Sequence, residues 1–221
     1  MDKIICNAQF SGLVERFFKC PESIITKCVK QTIKNNPHEK TSVFVVEVDG
    51  KQYIVKRYNV TSIKHFLKIC LRGTRGWRAW QFANLLKQHR IAAIFPVAFI
   101  EKRYGPLRGR AYMVYEYLDY PKGSEYVRSL KEDSENVRLL LANTVRLIQQ
   151  LKAVRLSHND FHLGNMLIHQ DKPILFDLDH MRRHVNNKFF TKAHNSDIHL
   201  FKWYLRDRPQ LIKLFMESLP S

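Results

Sequence analysis

The hydrophobic pattern of this chain changes period once, around residues 119–123, and that switch limits the fold more than any other feature. Before it, Thr41–Val48 is rich in β-branched residues, Asp49-Gly50 is a tight-turn dipeptide, and Lys51–Tyr58 alternates, which predicts a β-hairpin. Alternation puts Ile54, Lys56 and Tyr58 on one face and Tyr53, Val55 and Arg57 on the other. A second strand pair is expected over residues 96–103 and 110–118, joined by a loop containing Gly105-Pro106. Residues 63–71 read as a short basic amphipathic helix and 77–88 as a longer one. Residues 1–36 read as helical or irregular. Residues 119–123 form a linker, after which Asp133 or Ser134 caps a long helix with Val137, Leu140, Leu141, Thr144, Ile148 and Leu151 at helical spacing. A polar loop over 157–165, short strands at Met166–His169 and 173–176, and a helical part from Ser196 complete the chain. The expectation is an α+β, bilobal protein with a small antiparallel β-sheet N-lobe (1–118, with 1–36 as an extension) and a mainly helical C-lobe (119–221).

Charge narrows the partners. The 221 residues carry 37 Lys+Arg against 20 Asp+Glu, a formal +17, and no acid occurs between Gly50 and Glu101. Lys51, Lys56, Arg57, Lys64, Lys68, Arg72, Arg75, Arg78, Lys87 and Arg90 all fall in that window, interleaved with aromatics. Such a face suits nucleic acid, phosphate-bearing lipid or a polyanionic small substrate, and composition leaves the three open beside an ordinary solvated basic face. With 45% hydrophobic residues the chain can bury a core, which argues against disorder. No stretch reaches the roughly 18 apolar residues of a membrane span. The N-terminal residues show no secretory pattern, and Cys6, Cys20, Cys28 and Cys70 form no C-x-x-C pair, which suits reduced thiols; the expected location is cytoplasmic.

The chemistry concentrates in His158-Asn159-Asp160-Phe161-His162-Leu163-Gly164-Asn165, followed twelve residues after Asn165 by Asp177 at the end of an apolar strand. Phosphoryl transfer from ATP needs a carboxylate to orient the acceptor hydroxyl and take its proton, and oxygen ligands to hold magnesium against the phosphates. An Asp, an Asn five positions on, and a second Asp on the next hairpin supply those parts. Lys56, on a strand of the other half, suits the α- and β-phosphates.

In this order and spacing the residues resemble the protein-kinase-like fold. The H-x-D-x-H-x-G-N loop is the form seen in small-molecule and sugar kinases, and only twenty positions separate Asp177 from Asp197, with no A-P-E-like motif. Together with Val55-Lys56-Arg57-Tyr58, the run from Arg75 to Asn84, the Gly105 to Tyr112 loop and Phe176-Asp177-Leu178-Asp179, the chain resembles the bacterial lipopolysaccharide-core kinases, which include Kdo kinases and heptose kinases. The similarity spans roughly residues 40 to 205. The resemblance implies Asp160 as catalytic base, Asn165 and Asp177 as magnesium ligands, and Lys56 as the phosphate-binding lysine. It further implies that Ile54 lies over the adenine, that Glu116 to Leu118 form the hinge that reads it, and that His158 and Asp197 brace the catalytic loop. ATP and Mg2+ are the implied cofactors. The implied acceptor is an anionic lipopolysaccharide precursor (Kdo–lipid A or heptosylated core), met at the cytoplasmic face of the inner membrane by electrostatics, with no nucleic acid partner.

Two departures from the family pattern stand out. Residues 27–42 contain no glycine, so the usual Gly-rich phosphate lid is missing or replaced, and helix 77–88 has no Glu to pair with Lys56, leaving Asn84 or Gln81 to position it. These departures keep a second reading open, a non-catalytic pseudokinase, alongside a kinase of another small sugar-like substrate. A zinc hydrolase built on the histidines between His158 and His199 would leave Asn165 and Asp177 unexplained, so His162, His169, His180 and His184 are expected at the surface or capping the core.

Overall fold

The computed structural model describes residues 2–36, 38–132 and 134–219. The chain divides into two compact units: one holds the chain up to Asn84 together with Ile94–Leu118, the other Leu85–Ala93 together with the chain from Asp119. The division falls inside the helix Arg75–Gln88.

The first unit is built on a six-stranded antiparallel sheet. Its strands are β1 (Lys3–Cys6), β2 (Val29–Lys34), β3 (Thr41–Val48), β4 (Lys51–Tyr58), β5 (Pro96–Tyr104) and β6 (Leu107–Glu116), in the order β1-β5-β6-β4-β3-β2. The β3–β4 turn sits on Asp49 and Gly50, at φ 50° and 72°, the left-handed pair that a two-residue hairpin turn requires. The β3–β4 hairpin has the bounds its sequence indicates, whereas the segment before it corrects the sequence reading: residues 1–36 hold two strands besides helical turns. Lys3–Cys6 pairs with β5 and Val29–Lys34 with β3, so both sheet edges come from this segment. Neither strand carries a usable periodicity. The first has four residues, and every residue of the second is exposed, so what holds it is the backbone ladder and not a buried face.

Between these edges the chain crosses one face of the sheet as short helical turns over residues 8–18 and the helix Pro21–Lys27. Val14, Phe18, Ile24 and Ile25 are buried there against Phe44, Val46, Tyr53, Val55, Ala98, Tyr112 and Val114, with Phe18 edge-on to Tyr53 at 5.7 Å. Glu22, on that helix, accepts from Arg110 Nη1 (2.6 Å), Tyr112 OH (2.6 Å) and Arg57 Nη1 (3.2 Å). Burial alone would raise its pKa. The bonds from Tyr112 and Arg110 and the charge of Arg57 outweigh burial and hold the carboxyl below its ordinary range.

In the second unit Ser134 caps the helix Glu135–Ala153, accepting from Val137 N–H; Asp133, the other candidate cap, lies outside the described residues. All six positions named from spacing, five apolar and Thr144, are buried in this helix. Strand β7 (Leu156–Ser157) pairs with β10 (Arg182–Arg183), and β8 (Met166–His169) with β9 (Lys172–Leu175). The helices Asn187–Tyr204 and Pro209–Ser218 close the unit, the first starting nine residues before the expected Ser196 because Asn186 Oδ1 accepts from Lys188 and Phe189 N–H. Phe161, Phe201 and Phe215 form a chain of ring contacts under the polar loop, at 5.7 and 4.7 Å. Cys6, Cys20, Cys28 and Cys70 are free thiols, and among the described residues no helix is long and apolar enough to cross a membrane.

Candidate active site

In the second unit the loop between β7 and β8 is held by its own side chains. Asp160 sits at its centre. Asn165 Nδ2 donates to Asp160 Oδ2 at 2.8 Å and to its carbonyl at 3.0 Å, while His162 Nε2 lies 3.4 Å from Oδ1. Gly164 N–H donates to His162 Nδ1 (3.1 Å), so the proton of this imidazole is on Nε2, directed at Asp160. The 3.1 Å approach of Asn165 Nδ2 to the same Nε2 then brings two donors together and is a contact, not a bond. His162 and Asn165 hold the Asp160 carboxyl below its ordinary range against the opposing effect of burial. His162 is therefore a partner of Asp160, not the surface or core-capping residue expected from the sequence. Its ring stacks on Tyr204 at 4.0 Å, a contact across 42 positions that no local pattern signals. Gly164 permits this arrangement, since a Cβ there would stand 2.9 Å from the His162 ring.

Behind Asp160 the loop is braced by buried groups. Asp197 accepts from His158 N–H and Asn159 N–H, each at 2.8 Å. Burial pushes the Asp197 pKa up to about 6 despite these two bonds. His158 is fully buried, its Nε2–H donates to Phe176 O (3.2 Å), and burial lowers its pKa to about 4, so the ring is neutral. The His158 bond ties the loop to the residue before Asp177, and Phe176 N–H donates to Asn165 O at 3.1 Å. Asn159 and Asp177 both adopt left-handed backbone, at φ 60°, a strained conformation for residues with a Cβ. Asn159 Nδ2 donates to Ser157 Oγ and His180 O, both at 3.0 Å. From Asn159 a groove of about 500 Å3 runs along Arg182, Arg183, Phe189 and Lys192.

In the first unit, Ile54 and Lys56 lie half-buried on the face of β4 opposite Tyr53 and Val55. Lys56 Nζ is 5.4 Å from the centre of the Tyr58 ring. Glu116 ends β6 directly across from Tyr53, and Tyr117 N–H donates to Gln52 O (3.2 Å), so the segment that follows leaves β6 one position beyond Tyr115, the residue across from Ile54. Asn84 Nδ2 donates to Trp80 O of its own helix, leaving Oδ1, the acceptor a lysine needs. The glycine-free turn between β2 and β3 is organised by side chains: Asn35 Oδ1 accepts from Arg57 Nη2 (3.0 Å), Asn36 Oδ1 from His38 N–H (3.0 Å), and Glu39 O from Asn59 Nδ2 (2.9 Å).

A model of the lipopolysaccharide kinase (Kdo/WaaP) family matches residues 29–211. The chain belongs to that family. Among curated proteins it is 27% identical over 141 residues to the lipopolysaccharide core heptose(I) kinase WaaP of Pseudomonas aeruginosa, covering 59% of this chain, and it spans 52% of that relative's length. A solved structure of WaaP in complex with acyl carrier protein matches with a TM-score of 0.65 at 16% identity, covering 97% of this chain and 89% of that one. The fold of this Kdo/WaaP family chain is thus protein-kinase-like. The family match begins at β2 and includes every candidate site residue, leaving β1 and the helical turns outside it.

Proposed function

We propose that this protein transfers the γ-phosphoryl group of ATP to a hydroxyl of a lipopolysaccharide inner-core sugar, Kdo or heptose. The observation that carries the reading is the Asp160 carboxylate held ionised by His162 and Asn165 on a loop braced from behind by Asp197. The acceptor oxygen attacks the γ-phosphorus, the bond to the β–γ bridging oxygen breaks, ADP leaves, and Asp160 takes the hydroxyl proton. Lys56 binds the α- and β-phosphates, Ile54 covers the adenine, and the backbone from Glu116 to Leu118 reads its edge.

Among the described residues no group of three or more His, Cys, Asp or Glu side chains is arranged to hold a metal. Magnesium fits the residues nonetheless, because it keeps waters and phosphate oxygens and takes only one or two protein oxygens, here Asn165 Oδ1 and the Asp177 carboxylate. Its contribution would be charge neutralisation on the phosphates. The cations Arg182, Arg183 and Lys192 of the groove beside Asn159 suit the phosphates or carboxylates of a core acceptor. A lipid-linked acceptor calls for work at the cytoplasmic face of the inner membrane, and the acid-free basic window suits an anionic bilayer.

Phosphate transfer from ATP to Kdo–lipid A and to heptosylated core tests this. Wild type transfers phosphate to one of them, and Asp160→Ala lowers the rate about 10²- to 10⁴-fold. Charge reversal at Arg182 and Arg183 raises the acceptor KM about ten-fold while nucleotide affinity holds. The glycine-free turn and the missing helix Glu favour a second reading, a pseudokinase. Wild type that binds nucleotide yet phosphorylates no core sugar establishes that reading instead.

A further inference from the structure

The helix Ile63–Arg72 is seated on the sheet unit by one face only. His65, Phe66, Ile69 and Cys70 face inward, and Cys70 Sγ accepts from Arg108 N–H of β6 at 3.4 Å. The outer face carries two parallel rows. Ile63, Leu67 and Leu71, spaced four apart, are 80%, 56% and 87% exposed. Lys64, Lys68 and Arg72 run beside them one position on, a turn of about 100° around the helix axis. A row of large aliphatics held in water is unfavourable, and its alignment along one face marks a contact surface. The turn between β5 and β6 adds exposed Tyr104 and Leu107 next to Arg108.

We propose that this helix lies in the plane of a bilayer containing anionic phospholipid, with Ile63, Leu67 and Leu71 inserted at the acyl-chain boundary and Lys64, Lys68 and Arg72 on headgroup phosphates. The paired rows are what an interfacial helix needs: apolar area for insertion and cations whose stems reach up to the phosphates. A second copy of the chain is disfavoured by the +17 charge each copy carries. A folded acidic protein would have to supply a groove shaped to a convex helix, whereas a bilayer accepts one without shape complementarity. The inference deepens the membrane reading given above, replacing adsorption by charge with insertion, and it does not depend on phosphotransfer.

Co-sedimentation with vesicles of phosphatidylglycerol and phosphatidylcholine, without ATP, tests it. Leu67→Gln/Leu71→Gln and, separately, Lys64→Gln/Lys68→Gln/Arg72→Gln each weaken binding by about ten-fold or more, with the unfolding midpoint unchanged because all five side chains are exposed. Tryptophan placed by Leu67→Trp is quenched by brominated lipid beyond the wild-type level. A leucine pair that binds vesicles like wild type overturns insertion, even where the cation triple fails to bind. Wild type that ignores vesicles, with the same leucines needed to hold an acidic protein, overturns the bilayer as partner. Turnover on a delipidated core oligosaccharide, which needs no membrane, separates failure here from failure of the kinase reading.

Discussion

Each unit withdraws a carboxylate from bulk water, and the two do it with different partners. Glu22 of the sheet unit is held by two guanidinium groups and a phenol, and its pKa falls. Asp197 of the helical unit is held by two backbone N–H groups, and its pKa rises to about 6. Glu22 keeps about a third of its side chain in water, and its phenol bond and two guanidinium groups outweigh burial, whereas Asp197 is buried and its two amide dipoles compensate desolvation incompletely. The first acid is a cross-link between the N-terminal helix and the sheet. The second gives up stability to fix the backbone on which Asp160 is aimed.

That contrast can be broken by exchanging charge for amide in each unit. The largest effect is expected from Asp197→Asn, whose amide offers one acceptor where two N–H groups converge. Turnover falls about 10²-fold, the scale of a displacement near 1 Å at a reacting centre, while nucleotide affinity changes little. Unchanged turnover in steady-state assays would refute the aiming role. Next comes Glu22→Gln, which leaves Arg57 and Arg110 facing a neutral partner. Because about a third of the Glu22 side chain is exposed, the loss is about 1–2 kcal/mol rather than the 3–5 of a fully buried pair. Urea unfolding should register it with kcat intact, and a fall in kcat without destabilisation would reverse the two assignments.

The smallest effect concerns pH. His158 is held neutral with a pKa near 4, below the ordinary 6.5, so its contribution to stability is complete above pH 6.5 and is lost as pH falls toward 4. Asp197 has the opposite sign: raised from 3.8 to about 6, it adds stability as pH falls through that window. The two slopes largely cancel in the wild type. Removing the carboxylate by Asp197→Asn leaves the histidine alone, so stability should drop on acidification from pH 6.5 to 4 by up to about 1.4 kcal/mol per pH unit. Parallel wild-type and variant curves in urea titrations at several pH values would exclude this balance.

What the sequence displayed follows from which forces are local. Asp49-Gly50 announced the β3–β4 turn because left-handed backbone is a property of those two residues, and the helix Glu135–Ala153 announced itself because its apolar stripe is buried along its length. Strand β2 did not, since all six residues are exposed and only neighbouring backbone defines it. The first turns of Asn187–Tyr204 are mostly exposed and were hidden for the same reason. In the candidate site, Asp160, Asn165 and Asp177 stood out by spacing, whereas the part played by His162 depends on Tyr204 and on the close approach of Gly164. The helix Ile63–Arg72 marks a further limit. Its amphipathic period was evident, but only the fold tells which face is left outward.

The course of residues 3–34 across the sheet has a bearing on how the protein is made. Lys3 finds its partner in Glu101, nearly a hundred positions later. During synthesis that strand cannot pair until β5 has left the ribosome, and the apolar turns over residues 8–18, which can meet Phe44 and Tyr53 earlier, lack Ala98, Tyr112 and Val114 until β5 and β6 follow. Contacts of such long sequence separation are slow to form and leave apolar surface open meanwhile. The strand Lys3–Cys6 is translated long before its partner and is thus among the last to settle, and nascent chains stopped before residue 96 should be the ones that most need a chaperone.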